Sequence, residues 1–152
     1  MKEKNWLWLV VAGVSLFGIF VILSVVTLNT DTVQRVFVIL SEVFGVVTLA
    51  FSIWGWVKIP SQKWLYIAPV AFLGSWLMIG IAYEIGFDAT MDHGWVWFLV
   101  YYIVAVASSV LLRFSIGKTE GKQALMPISM LFVQSIQIVY VIIIHIIWML
   151  PF

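Results

Sequence analysis

The chain contains no cysteine, and its 152 residues include only seven acidic and eight basic side chains. Without thiols it forms no disulfide, offers no thiolate nucleophile and builds no sulfur-ligated metal site. The shortage of charge is more informative. Charged residues make up 10% of the chain and hydrophobic residues 64%, too little polar surface to cover such an apolar chain in water. The net charge is +1, and the cations are scattered along the sequence. The dense basic face that binds phosphate backbones is therefore missing, and nucleic acid is not an expected partner. Also missing are G-x-S-x-G, a P-loop, H-E-x-x-H and any paired catalytic aspartates, so no catalytic residue is assigned and no enzyme activity is expected. Two histidines are too few for a pair of bis-histidine haems. No cofactor is implied.

What the chain has is five long apolar runs, at about 6–28, 36–57, 64–86, 95–116 and 128–150. Each reaches the roughly 20 residues with which a helix crosses about 30 Å of hydrocarbon. Their hydrophobicity is continuous, without the period-two alternation of barrel strands. The expected fold is all-α: a polytopic bundle of five transmembrane helices in a single membrane domain over 1–152, with connections too short to form a separate soluble domain. Lys2, Lys4, Lys58, Lys63, Arg113, Lys118 and Lys122 fall on one side of this arrangement and only Arg35 on the other. Positive charge is retained in the cytoplasm, which predicts a cytoplasmic N-terminus and an extracytoplasmic C-terminus in the cell membrane. The first run is too long for a signal h-region and lacks an A-x-A site, so it is expected to remain as an anchor.

The connections carry turn signals. Asp31 or Thr32 is expected to cap the second helix, and Pro60 to separate the second from the third. Pro69 is expected to kink the third. Trp6, Trp8, Trp54, Trp56, Trp64 and Tyr66 are expected at the inner interface, and Tyr83, Trp95, Trp97 and Trp148 at the outer one, where such rings anchor helices. Trp76 lies at mid-depth and is expected to point inward. Small residues trace helical stripes for close packing: Ser41, Gly45, Thr48, Ser52 and Gly55; Ala68, Ala71, Ser75 and Ala82; and Ala12, Ser15 and Gly18.

Polar residues inside apolar helices are costly and mark candidate sites. In the fifth helix Gln134, Gln137, Val141, His145 and Trp148 share one face at spacings of three, four, four and three. Glu42 lies roughly 9 Å below the outer end of its run and His145 roughly 8 Å below the end of its own. Tyr101 and Tyr102 lie at a similar level, and Glu84 nearer the mouth, with Asp88, Asp92 and His93 in the loop above it. These positions predict a ligand- or ion-binding site of Glu42, Glu84, Tyr101, Tyr102, Gln134, Gln137, His145 and Trp76 in the outer half. Glu42 and His145 would form its ionisable pair. The bland alternative is a set of interhelical hydrogen bonds that only fix packing, at about 0.6 kcal/mol each. No metal is assigned, because the available oxygen and imidazole donors lack a ligating motif.

In length, five spans and tryptophan content the chain resembles the tryptophan-rich sensory or translocator proteins that bind porphyrins. That family's long first loop, rich in tryptophan and proline, has no counterpart here, where residues 29–35 contain neither. No function is carried over from it. The functional expectation is a small membrane protein that binds, and in one version transports, a small solute or ion. The alternative is an accessory, assembly or immunity-type subunit whose polar helix-five face docks a larger membrane partner. The bilayer itself, a second copy or such a partner completes the expected surroundings.

Overall fold

A computed structural model describes residues 3–91 and 94–149, with side chains over 5–91 and 94–148. Lys2, Asp92, His93 and Leu150 lie outside the described residues, as does the side chain of Lys4. The described residues form five long helices: α1 (Glu3–Val26), α2 (Asp31–Lys58), α3 (Lys63–Glu84), α4 (Gly94–Lys118) and α5 (Leu125–Met149). Short 3₁₀ turns, Pro60–Gln62 and Gly121–Ala124, lead into α3 and α5. All five helices are long and apolar enough to cross a membrane. Their exposed faces are aliphatic or aromatic, with Ile103, Val106 and Phe132 each at least 63% exposed. Only hydrocarbon tolerates such a surface at this extent.

The helix ends depart from the apolar runs where polar residues continue the backbone ladder. α2 begins at Asp31, five residues before its apolar run, because a helix needs consecutive N–H···O=C bonds and not apolar side chains. Asp31 is therefore a first-turn residue, where its charge suits the helix N-terminus. Thr30 occupies the capping position without a side-chain cap bond. The expected cap by Asp31 or Thr32 does not form. Pro69 sits inside α3, which continues from Lys63 to Glu84 around it.

The chain divides into two compact units, Met1–Val70 and Ala71–Phe152, with the boundary inside α3. In the first, α1 packs along α2, whose buried residues are Ser41, Gly45, Thr48, Ser52 and Gly55, the stripe read from the sequence. Ser41 and Ser52 turn their hydroxyls back to Val38 O and Thr48 O of their own helix. The stripe therefore works by close approach and not by interhelical hydrogen bonds. The facing residues of α1 are Val10, Gly13 and Phe17: Val10 and Phe17 are buried, and a Cβ on Gly13 would run into the Thr48 side chain. The expected α1 stripe is thus corrected. Ala12 and Ser15 are exposed, and Gly18 has no neighbour within 4 Å of its Cβ position. At the far end of this unit Trp6 donates its indole N–H to Phe51 O at 3.2 Å and packs on Trp54 at 4.1 Å. Tyr66 is not an interfacial anchor as expected; it is fully buried, with its ring against Gly55.

In the second unit α4 buries Phe98, Tyr101, Ala105, Ser108, Leu112 and Ser115, and α5 buries Met130, Gln134, Gln137 and Val141. Spacings of three and four put each set on one helix face, and α4 packs against α5. α3 contributes Ala71, Phe72, Leu73, Ser75 and Ala82. It ends in a Schellman arrangement: Gly86 has φ +65°, its N–H donates to Tyr83 O at 3.1 Å, and the Phe87 N–H donates to Ala82 O at 2.8 Å. Glycine adopts this left-handed turn without a Cβ penalty. The turn delivers Phe87 to the cluster of Phe98, Tyr101, Ala105 and Val141.

Candidate functional site

The polar face of α5 is built as its spacing implies. Gln134 and Gln137 are buried, Val141 is buried beyond them, and His145 and Trp148 are half-buried on the same stripe. Ser75 of α3 meets the two glutamines. Its Oγ lies 2.6 Å from Gln134 Oε1, 3.2 Å from Gln137 Oε1 and 2.9 Å from Phe72 O. A hydroxyl has one proton, and the 2.6 Å contact has the length of an O–H···O bond, so Gln134 Oε1 takes most of it. Gln137 Nε2 donates to Ser75 O at 3.2 Å. Gln134 Nε2 has no hydrogen-bond partner among the described residues, although Gln134 is 0% exposed. Gln134 is the tenth residue of α5, roughly 14 Å along it and close to mid-depth in a bilayer. A buried donor without an acceptor there costs about 1–3 kcal/mol.

Further along α5, toward its C-terminus and the start of α4, the site becomes aromatic. His145 lies flat on Phe98, 4.1 Å between centroids and 7° between planes. Its Nδ1 is 2.9 Å from the Tyr102 hydroxyl. That bond runs in either direction with the imidazole tautomer. Trp97 stacks on Tyr101 at 5.5 Å and 14°, and Phe87 packs against Trp97, Phe98 and Trp148. The Trp97 Nε1–H and the Tyr101 O–H have no hydrogen-bond partner among the described residues.

The structure therefore brings Tyr102 to His145, and Gln134 and Gln137 to Ser75. Glu42 is half-buried on α2 in the first unit, whereas His145 belongs to the second; the side chain bonded to His145 Nδ1 is Tyr102. Glu84 is exposed at the C-terminal end of α3. Trp76 is half-buried, 6.2 Å from Phe72. Asp88 lies in the loop after α3 and is fully exposed. Its Oδ1 accepts from the Thr90 hydroxyl at 2.7 Å and the Thr90 backbone N–H at 2.8 Å. Those two bonds, the hydroxyl first, hold its carboxyl below the usual aspartate value. Asp92 and His93 lie outside the described residues. Among the described residues no three His, Asp or Glu side chains gather as metal ligands would.

Sequence reasoning placed Ser75 only in a packing stripe and Trp97 only among interfacial anchors. Ser75 carried a signal, as a hydroxyl at mid-depth in an apolar helix. Trp97 carried one too, four residues before Tyr101 on the same face. Phe87 and Phe98 gave no signal in a chain with eleven phenylalanines.

Compared with known proteins, the chain matches no family model, no curated sequence and no solved structure.

Proposed function

We propose that this is a multi-pass protein of the cell membrane that binds a small polar solute or ion along the polar face of α5, in its second unit. The observation that carries the reading is the Gln134 carboxamide: wholly buried, near mid-depth, fixed through its oxygen by Ser75, with both amide protons open among the described residues. Evolution tolerates such a donor in hydrocarbon where a ligand or a water-borne path supplies the acceptor. The glutamine pair would bind, and the Tyr102–His145 pair, farther along the same stripe, would form the approach. Transport is the stronger version of this reading, and Val141 is the apolar step between the two polar groups. The orientation proposed is N-terminus inside, supported by Lys58, Lys63, Arg113, Lys118 and Lys122 on a common side of their spans.

The test is side-chain amide NMR of the labelled full chain in nanodiscs, titrated with chloride, acetate, glycine and glucose. A saturable shift at Gln134 with one of them, absent in Gln134→Leu, supports the reading. No shift with any of them, together with a Gln134→Leu variant less stable than the wild type, overturns it and leaves a packing contact.

A second reading, an accessory subunit, has its own observation. α1 is the least buried of the five spans, and its small residues Ala12, Ser15 and Gly18 are not used against α2. The surface offered to a second copy or a larger membrane partner would be this one. Copurification after mild detergent extraction separates the readings: a stoichiometric unrelated partner favours the accessory role.

A further inference from the structure

Two polar hydrogens near the start of α4 lack acceptors among the described residues, and they are neighbours. Trp97 and Tyr101 are one helical turn apart with their rings stacked. Both the indole Nε1 and the phenol oxygen are shielded from solvent without a hydrogen-bond partner among the described residues. Tyr101 is 0% exposed. The partly buried hydrophobic side chains packed against its cluster include Met78, Ile79, Phe87 and Trp148. His145, whose ring stacks on Phe98 of this cluster, is bonded to Tyr102.

We propose that Trp97 Nε1–H and Tyr101 O–H bind a carbonyl oxygen of a neutral, membrane-soluble molecule. The inference rests on the reading that the second unit binds a small molecule, and it names a ligand class and two donors for the aromatic end of that unit. The unmet demand is for an acceptor. An indole nitrogen can only donate, and the phenol's useful free group is its proton. An anion would meet the demand for an acceptor, but burying its charge is far more costly than burying a neutral carbonyl. A sugar would bring hydroxyl donors of its own to a place already short of acceptors. Trp97 and Tyr101 lie three and seven residues into α4, roughly 5 and 10 Å along it. Both the ester carbonyls of a glycerolipid and the ring carbonyls of a quinone reach that depth, and the experiment separates the two sources.

The full chain, labelled at the indole nitrogens, is placed in nanodiscs of an ester-linked phosphatidylcholine and of its ether-linked analogue, each with and without menadione. Trp97→Phe identifies the Trp97 resonance. A downfield Trp97 indole proton in ester lipid that moves back in ether lipid supports the site with a lipid carbonyl as ligand. A saturable downfield shift on adding menadione to the ether-lipid sample supports it with a quinone as ligand. In that case Tyr101→Phe raises the midpoint by about 2- to 10-fold, the worth of one neutral hydrogen bond. A Trp97 resonance identical in all four wild-type preparations overturns the proposal. Its failure leaves the polar-solute reading standing if Gln134 still responds to its own titration; silence at both positions removes both.

Discussion

Ser75 and Gln134 show how one side chain in a membrane interior changes meaning with its partner. The Ser75 hydroxyl is the donor that fixes the Gln134 oxygen at 2.6 Å. Ser75→Ala removes that bond and leaves the whole carboxamide unsatisfied, so it is expected to cost about 1 kcal/mol, within the range of intramembrane hydrogen bonds. Gln134→Leu removes the two open donors at the same time as the bond, and is expected to be neutral or stabilising. Reversible unfolding in sodium dodecyl sulfate measures both, and the opposite signs are the signature of a carboxamide kept for binding. At the surface, Asp88 tests the loop. Its carboxyl is held low by Thr90, so its bonds stabilise the loop fully above the ordinary aspartate range and fade as the pH falls through the lowered value. Carboxyl NMR is expected to show Asp88 titrating below its usual 3.8, and Thr90→Ala to move it upward.

At the scale of elements, the α1–α2 pair depends on backbone approach. Leucine at Gly13 drives a side chain into Thr48, a β-branched residue with little rotamer freedom. The expected cost is about 1–3 kcal/mol, the usual range for overpacking. Leucine at Gly18, on the same helix, places its Cβ where nothing lies within 4 Å. It is expected to be near neutral. Equal losses at the two sites in the same unfolding assay would remove the described contact. The α2 face was legible in the sequence because small residues at helical spacing have one use in lipid. Its partner face was not. On α1 a bulky pair, Val10 and Phe17, brackets a single glycine, and a search for small residues selects the wrong side.

For the whole molecule, side of the membrane is the testable property. The chain has no cysteine, so each introduced thiol is the only one. With the N-terminus inside, Thr90→Cys in the α3–α4 loop is expected to react with a membrane-impermeant maleimide on intact cells. Thr119→Cys in the α4–α5 loop is expected to react only after permeabilisation. The reverse labelling pattern would invert the topology and place the Trp97–Tyr101 cluster in the cytoplasmic leaflet.

The sequence alone determined that there are five apolar helices, their approximate limits, and which face of α2 and α5 packs. Those properties follow from hydrocarbon thickness, helical period and the cost of polar groups in lipid, all of which act locally along the chain. The tertiary structure decided the partners. That Gln134 shares Ser75 with Gln137, that His145 bonds Tyr102, and that Phe87 reaches α4 depend on side chains 11 to 62 residues apart meeting at hydrogen-bond or ring-contact distance. Periodicity gives the direction of each side chain around its own helix axis, but not the rotation and height of the neighbouring helix. Those are fixed by packing across the interface, and they set which donor meets an acceptor and which is left open.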